Sequence, residues 1–258
     1  MRADVIAAIL LAPLALAQKP EVALGRQFAK EIECQYRILH DPAVTDYVKR
    51  IADRIAQSAG VNLLVNVKVI ESSQVRAFNF PGGFLYVTTG LIARAETEAE
   101  FAGVLAHEIA HLALHNGYYS PHRDANSAAW LRGLGGCSRW TLNNRVPLTS
   151  RTELRNIEQE ADSAAIEYLR TAGYDPLGML EFYNKLRYEE PRLAQTWSSR
   201  DLMALHGYVE ESVPPNPEFI VNTAAFDAIR KGFVPEAKPA RHVARPTLTR
   251  VNSQITVH

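Results

Sequence analysis

Residues 98–115 read Glu-Ala-Glu-Phe-Ala-Gly-Val-Leu-Ala-His-Glu-Ile-Ala-His-Leu-Ala-Leu-His, and at the centre of the stretch stands His107-Glu108-Ile109-Ala110-His111. Apolar residues recur through it at helical spacing, and Thr97 with Glu100 forms a capping box at its start. On a helix, positions four apart lie on one face a turn apart, so both imidazoles can reach one metal ion while Glu108 sits beside it. This is the spacing of the HExxH zinc hydrolases. At 100° per residue, Phe101, Val104, Leu105, Ile109 and Leu112 share one arc, and Gly103, His107 and His111 lie across from them. The helix is therefore expected to pack on one side and to present its histidines on the other, with glycine leaving room. Two histidines satisfied by hydrogen bonds inside a core would show the same spacing.

A zinc ion that performs chemistry needs a third protein ligand and an open position for water. The chain has only two cysteines, Cys34 and Cys137, so nitrogen and oxygen donors must hold it. Acids of a later helix, Arg151 to Thr171, supply the candidates. Taking Leu154 as zero, Ile157, Ala161, Ala165, Tyr168 and Leu169 fall within about 60° and define the buried stripe. Glu158 lies at about 40°, inside the stripe, and Glu160 at about 240°, outside it. A carboxylate on a buried face must be paired or coordinated. Asp162 shares the face of Glu158 and can accept the free N–H of a ligating histidine. A solvated helix edge paired with Arg155 or Arg170 is the alternative for both acids.

Outward from these two helices, Val22 to Ala59 has helical spacing broken at Asp41-Pro42 and stopped at Gly60, which predicts two helices. Leu63 to Ile70 alternates as a strand, and Phe78 to Thr89 follows as a second β segment with Pro81-Gly82-Gly83 as its turn. Further helices are predicted over Leu177–Glu189 and Asp201–Glu211. The chain has 258 residues, 47% apolar and 22% charged, enough for one domain with a sizeable core. Its 28 basic and 28 acidic residues cancel, so no global field draws it to nucleic acid or to an anionic membrane surface.

Residues 1–17 read as a cleavable signal peptide: Arg2, an apolar run from Val5 to Ala17, and a small-x-small pattern at Ala15-Leu16-Ala17. That run is too short to cross a bilayer, so no transmembrane span is expected in the mature chain, and its compartment should be the periplasm or the outside. One domain is assigned to 18–234. Residues 235–258, containing proline and basic overall, are read as a flexible tail.

Ala77-Phe78, Pro81-Gly82-Gly83, Val87 to Ile92, Glu98 to His111, Glu158-Gln159-Glu160-Ala161-Asp162 and Ala172 to Pro176 together resemble the HtpX and CAAX prenyl protease family of gluzincin metallopeptidases. The chain is most similar to soluble envelope members of the BepA and LoiP type. The resemblance implies an α+β fold, mainly helical, with a small β-sheet packed on the HExxH helix and the strand Phe84 to Val87 bordering the cleft. It implies one zinc ion per chain on His107, His111 and Glu158, with Asp162 behind a ligand. It also implies misfolded envelope proteins as substrates.

Membrane-spanning helices and tetratricopeptide repeats known in parts of that family have no counterpart here, and Arg76 stands where Asn is usual. His206-Gly207 stands in place of a His-Pro element, which makes His206 one candidate donor to the oxyanion. The expected reaction is peptide hydrolysis by a zinc-bound water with Glu108 as general base. A zinc-containing chaperone-like protein with little proteolysis would carry the same ligands. Substrate peptide is expected to add as a strand beside Phe84 to Val87.

Overall fold

The structure is a computed structural model that describes residues 20–60, 64–115, 151–189, 199–234, 249–251 and 254–256. The expected signal peptide at 1–17 lies outside the described residues, as do residues 235–248 of the expected tail. The elements run in the order α1 (Pro20–Gln35), α2 (Pro42–Ser58), β1 (Asn66–Ile70), β2 (Ala77–Phe80), β3 (Phe84–Thr88), α3 (Thr89–Arg94), α4 (Glu98–His115), α5 (Arg151–Ala172), α6 (Leu177–Glu189), α7 (Ser199–Ser212) and α8 (Ala224–Lys231), followed by β4 (Thr249–Val251) and β5 (Gln254–Thr256). The class is α+β and mainly helical, with a small sheet against the α4 helix.

Local chemistry sets the boundaries. Asp41 caps α2 by accepting from the amide of Ala43 at 2.9 Å, with Pro42 at the first helical position. Thr97 accepts from the Glu100 amide at 3.2 Å, and the Glu100 carboxylate returns to the Glu96 amide at 2.7 Å, one residue earlier than in a textbook-spaced box. Thr88 caps α3 through the amide of Leu91, so a short helix begins directly at the end of the strand.

The three-stranded sheet has the order β1-β3-β2, with β1 parallel and β2 antiparallel to β3. The tight turn between β2 and β3 places Gly82 and Gly83 at φ 83° and 86°, values that only glycine adopts without strain. Strand alternation divides the side chains between two layers. Phe80, Phe84, Tyr86 and Ile70 meet Ala29 and Ile32 of α1 on one face. Leu85, Val87, Val65 and Val69 join the main core with α2 and α4 on the other.

Two expectations, on the strand beside the cleft and on the packing of α4, are corrected by this arrangement. Phe84 to Val87 is the central strand, buried throughout and paired on both sides, so it borders no cleft; β2 is the edge strand on the side of α4. Helix α4 does not pack on one side only: Phe101, Ala102, Leu105, Ala106, Ile109 and Ala110 are all fully buried, and α2, α5, α6 and β2 surround it. Gly103 serves the helix packing, for a Cβ there would stand 2.6 Å from Cβ and 2.7 Å from Cα of Met179 on α6. Within the expected tail, β4 and β5 pair as an antiparallel ribbon in which Arg250 faces Ile255.

The start of α4 is fixed by a buried carboxylate. Glu98 accepts from Tyr47 of α2 at 2.7 Å, from Tyr174 at 2.9 Å and from Thr223, while its amide donates to Asn222 at 3.0 Å. Lys185 of α6 holds Glu100 at 2.5 Å. Among the described residues, no helix is long and apolar enough to cross a membrane.

Gly103→Ala tests the packing of α4 on α6. Alanine normally gains about 1 kcal/mol over glycine inside a helix. Here the methyl group must push the two helices apart, and the variant should lose about 1–3 kcal/mol in urea unfolding. A gain in stability would show that α6 can slide away freely.

Candidate metal centre

His107 and His111 lie one turn apart on α4, both buried, with ring centroids 4.5 Å apart and planes nearly perpendicular. Their Nε2 atoms are 3.0 Å from each other. Glu158 enters from α5 with its side chain 13% exposed, placing Oε2 3.4 Å from Nε2 of His107 and 3.6 Å from Nε2 of His111. Ligands at zinc distances on a tetrahedron stand about 3.3–3.5 Å from one another. The three observed separations bracket that edge, and the donor set of two imidazoles and one carboxylate suits zinc. The group therefore fits a single ion in its present geometry.

Asp162, one turn beyond Glu158 and buried, holds Nδ1 of His107 at 2.8 Å. Because a carboxylate can only accept, Nδ1 carries the hydrogen and Nε2 is left to face the other two donors. Burial works to lower the proton affinity of His107. The hydrogen bonds and charges of Asp162 and Glu158 outweigh burial and push His107 well above the ordinary imidazole value. Burial likewise works to raise Glu158, and its hydrogen bonds to the two histidines, with their charges, hold it far below the usual carboxylate range.

Glu108 follows His107 on α4 and turns toward β2, where Nδ2 of Asn79 donates to its Oε2 at 2.6 Å and to its backbone oxygen at 3.2 Å. Tyr183 of α6 sets its ring perpendicular to His107 at 6.2 Å between centroids. Burial, and then the charges of Asp162, Glu108 and Glu158, push its phenol well above the usual range.

Glu160 is exposed, on the far side of α5 from Glu158. His206 is not brought into the group: its side chain is 49% exposed on α7 and its Nδ1 faces Glu210 of the same helix at 3.4 Å. The buried face of α7 is made by Leu202, Leu205 and Val209, which turns the adjacent His206 outward. Asn79 and Tyr183 are the residues near the centre that the sequence reading passes over. The signal for Asn79 was one polar residue between Phe78 and Phe80 in a short strand.

A helix bearing two histidines four apart, a glutamate from a following helix at the third corner and an edge strand beside the intervening acid define the gluzincin class of metal centre. The profile of Peptidase family M48 matches residues 42–218, and the chain belongs to that family. The beta-barrel assembly-enhancing protease of Yersinia pestis is 26% identical over 183 residues, a stretch covering 64% of this chain and 37% of that protein. The metalloprotease LoiP of Escherichia coli strain K12 is 30% identical over 183 residues, covering 66% and 70%. The mitochondrial metalloendopeptidase OMA1 of Schizosaccharomyces pombe is 28% identical over 186 residues, covering 68% and 54%. The chain thus spans little more than a third of the beta-barrel assembly-enhancing proteases that it matches.

Three alanine variants separate the acids of α5. Glu158→Ala should leave a two-histidine site that loses its ion on dialysis against a mild chelator, and Glu160→Ala should retain it. Asp162→Ala should fall between, with metal affinity lower by about 10- to 100-fold. Metal analysis after dialysis decides; an empty Glu160→Ala beside a loaded Glu158→Ala would reverse the assignment.

The raised His107 also predicts proton release. An ion must displace the proton held by the group, so apparent affinity should rise with pH through and above the ordinary imidazole range. Calorimetric titration in buffers of different ionisation enthalpy should report about one proton released per ion near neutral pH.

Proposed function

We propose that this chain is a zinc-dependent endopeptidase acting on unfolded or misfolded proteins of the cell envelope. The observation that carries the reading is the tetrahedral-edge spacing of the His107, His111 and Glu158 donors, with Glu108 next to His107 along α4. His107, His111 and Glu158 would hold one zinc ion, and Asp162 would orient His107. Bound there, zinc supplies a Lewis acid that polarises the scissile carbonyl and brings the pKa of water toward neutrality. Glu108 takes the proton of the attacking water and returns it to the leaving amine nitrogen. Membership of a peptidase family, and relatives whose names are protease, metalloprotease and metalloendopeptidase, support the reaction class.

Recognition of unfolded chains follows from the sheet. Among the described residues strand β2 is at its edge and lies against α4, so a substrate added antiparallel or parallel to it would be held through its backbone whatever its side chains. That moves the expected docking strand from Phe84–Val87 to Ala77–Phe80. An envelope location, reached through a signal peptide at 1–17 ahead of the 18–234 domain, is supported by the similarity to the beta-barrel assembly-enhancing proteases.

Cleavage of a permanently unfolded protein, abolished by chelator and restored by zinc, is the expected result. A zinc-loaded protein that binds this substrate without cutting it would favour the chaperone-like alternative. Glu108→Gln should keep zinc and melting temperature while kcat falls by about 10² to 10⁴. A peptide-library digest should show loose preferences, and strict requirements at several positions would overturn strand addition at β2.

A further inference from the structure

The edge strand and the catalytic helix are joined by one side chain. Asn79 is 1% exposed, and strand alternation sets it on the α4 face while its neighbours Phe78 and Phe80 pack toward α1. Its Nδ2 lies 2.6 Å from Oε2 of Glu108 and 3.2 Å from the Glu108 backbone oxygen. Both partners are acceptors, so the amide nitrogen, with its two hydrogens, is the atom between them. The contact is chemically specific: a carboxylate next to a strand could be left to solvent, yet here it is gripped by the one polar side chain that β2 directs at it.

We propose that Asn79 is a positioning residue that fixes Glu108 and selects which of its oxygens acts as the base. The proposal rests on the reading of Glu108 as general base. With Oε2 engaged by Asn79, Oε1 is the oxygen available to water. The water O–H bond breaks, its proton passes to Oε1, and the water oxygen bonds to the scissile carbonyl carbon. As the C–N bond breaks, the proton on Oε1 passes to the amine nitrogen. Oε2 keeps its acceptor role throughout, because protonation at Oε1 leaves Oε2 a carbonyl oxygen. Protonation at Oε2 would instead set an O–H against the Asn79 N–H and leave a buried donor without an acceptor.

The second bond, to the backbone of α4, has a separate consequence. It fixes the register of β2 along the helix, so a peptide seated on β2 is placed relative to the base by the same side chain that orients the base. Misplacement by about 1 Å can cost about 100-fold in rate, which is the scale on which such a tie acts.

The test uses Asn79→Leu, which keeps the branched shape and removes the donor, alongside wild type and Glu108→Gln. In the zinc-loaded protein, kcat on a short peptide should fall by about 10- to 100-fold, with KM changed by less than about threefold. Bound zinc after dialysis should match wild type. A folded, zinc-loaded Asn79→Leu with wild-type kcat overturns the proposal. Side-chain amide resonances of metal-free, ¹⁵N-asparagine-labelled protein give a readout independent of catalysis and of the folding of any Asn79 variant. The Asn79 pair should shift in Glu108→Ala and stay in place in Glu160→Ala; an unmoved pair in Glu108→Ala also overturns it. A wild type inactive on every peptide and unfolded protein would sink the peptidase reading and this role together, whereas an active wild type with an unimpaired Asn79→Leu sinks the role alone.

Discussion

The constraint on which the structure turns is the complete burial of α4. A helix with apolar side chains on every side needs neighbours on every side, and here α2, α5, α6 and β2 supply them. That enclosure also takes in two imidazoles and brings a carboxylate close to the sheet. Polar groups removed from water must find partners, or the loss of hydration exceeds what packing returns. Two of those neighbours therefore contribute polar atoms near the histidines and Glu108, with Glu158 and Asp162 from α5 and Asn79 from β2, while α6 sets the Tyr183 ring against His107.

Positions along α4 divide the work. Its first turn is anchored by Glu98 and Glu100, whose partners come from α2, α6 and the segment around Thr223. Negative charge there also suits the helix N-terminus. Its middle is held by close packing, with Gly103 against Met179 and Gly178 of α6 against Ala99. The donors follow only after these two anchored stretches. The histidines therefore stand on a rigid element, and the pairing partners on α5 are set by a second long helix rather than by a loop.

Much of this was legible in the sequence wherever the information is local. Caps at Asp41, Thr97 and the glycine turn at 82–83 fall where the residue types demanded, and the 200° between Glu158 and Glu160 puts one inward and the other outward. What escaped is set by pairing between distant segments. Nothing in Phe84–Thr88 says that it is the middle strand; that follows from β1 arriving parallel on its free side. The helical wheel of α4 showed an apolar arc but could not show that small residues, Ala102, Ala106 and Ala110, would be covered as completely as the large ones. His206 looked eligible by residue type alone, and the apolar face of its helix turned it to solvent. Asn79 went unnoticed because its partner is 29 residues away on another element.

The charge content of the centre gives the arrangement its last consequence. Glu158 and Asp162 set two carboxylates against two buried imidazoles, and the half-buried Glu108 follows His107 on α4. The hydrogen bonds and charges of Asp162 and Glu158 drive the proton affinity of His107 up even though burial opposes it. A proton offsets part of that excess negative charge, and a divalent cation offsets more of it at the same position. The packing of α4 thus brings together, from two helices, the two imidazoles and the carboxylate that could hold a metal ion.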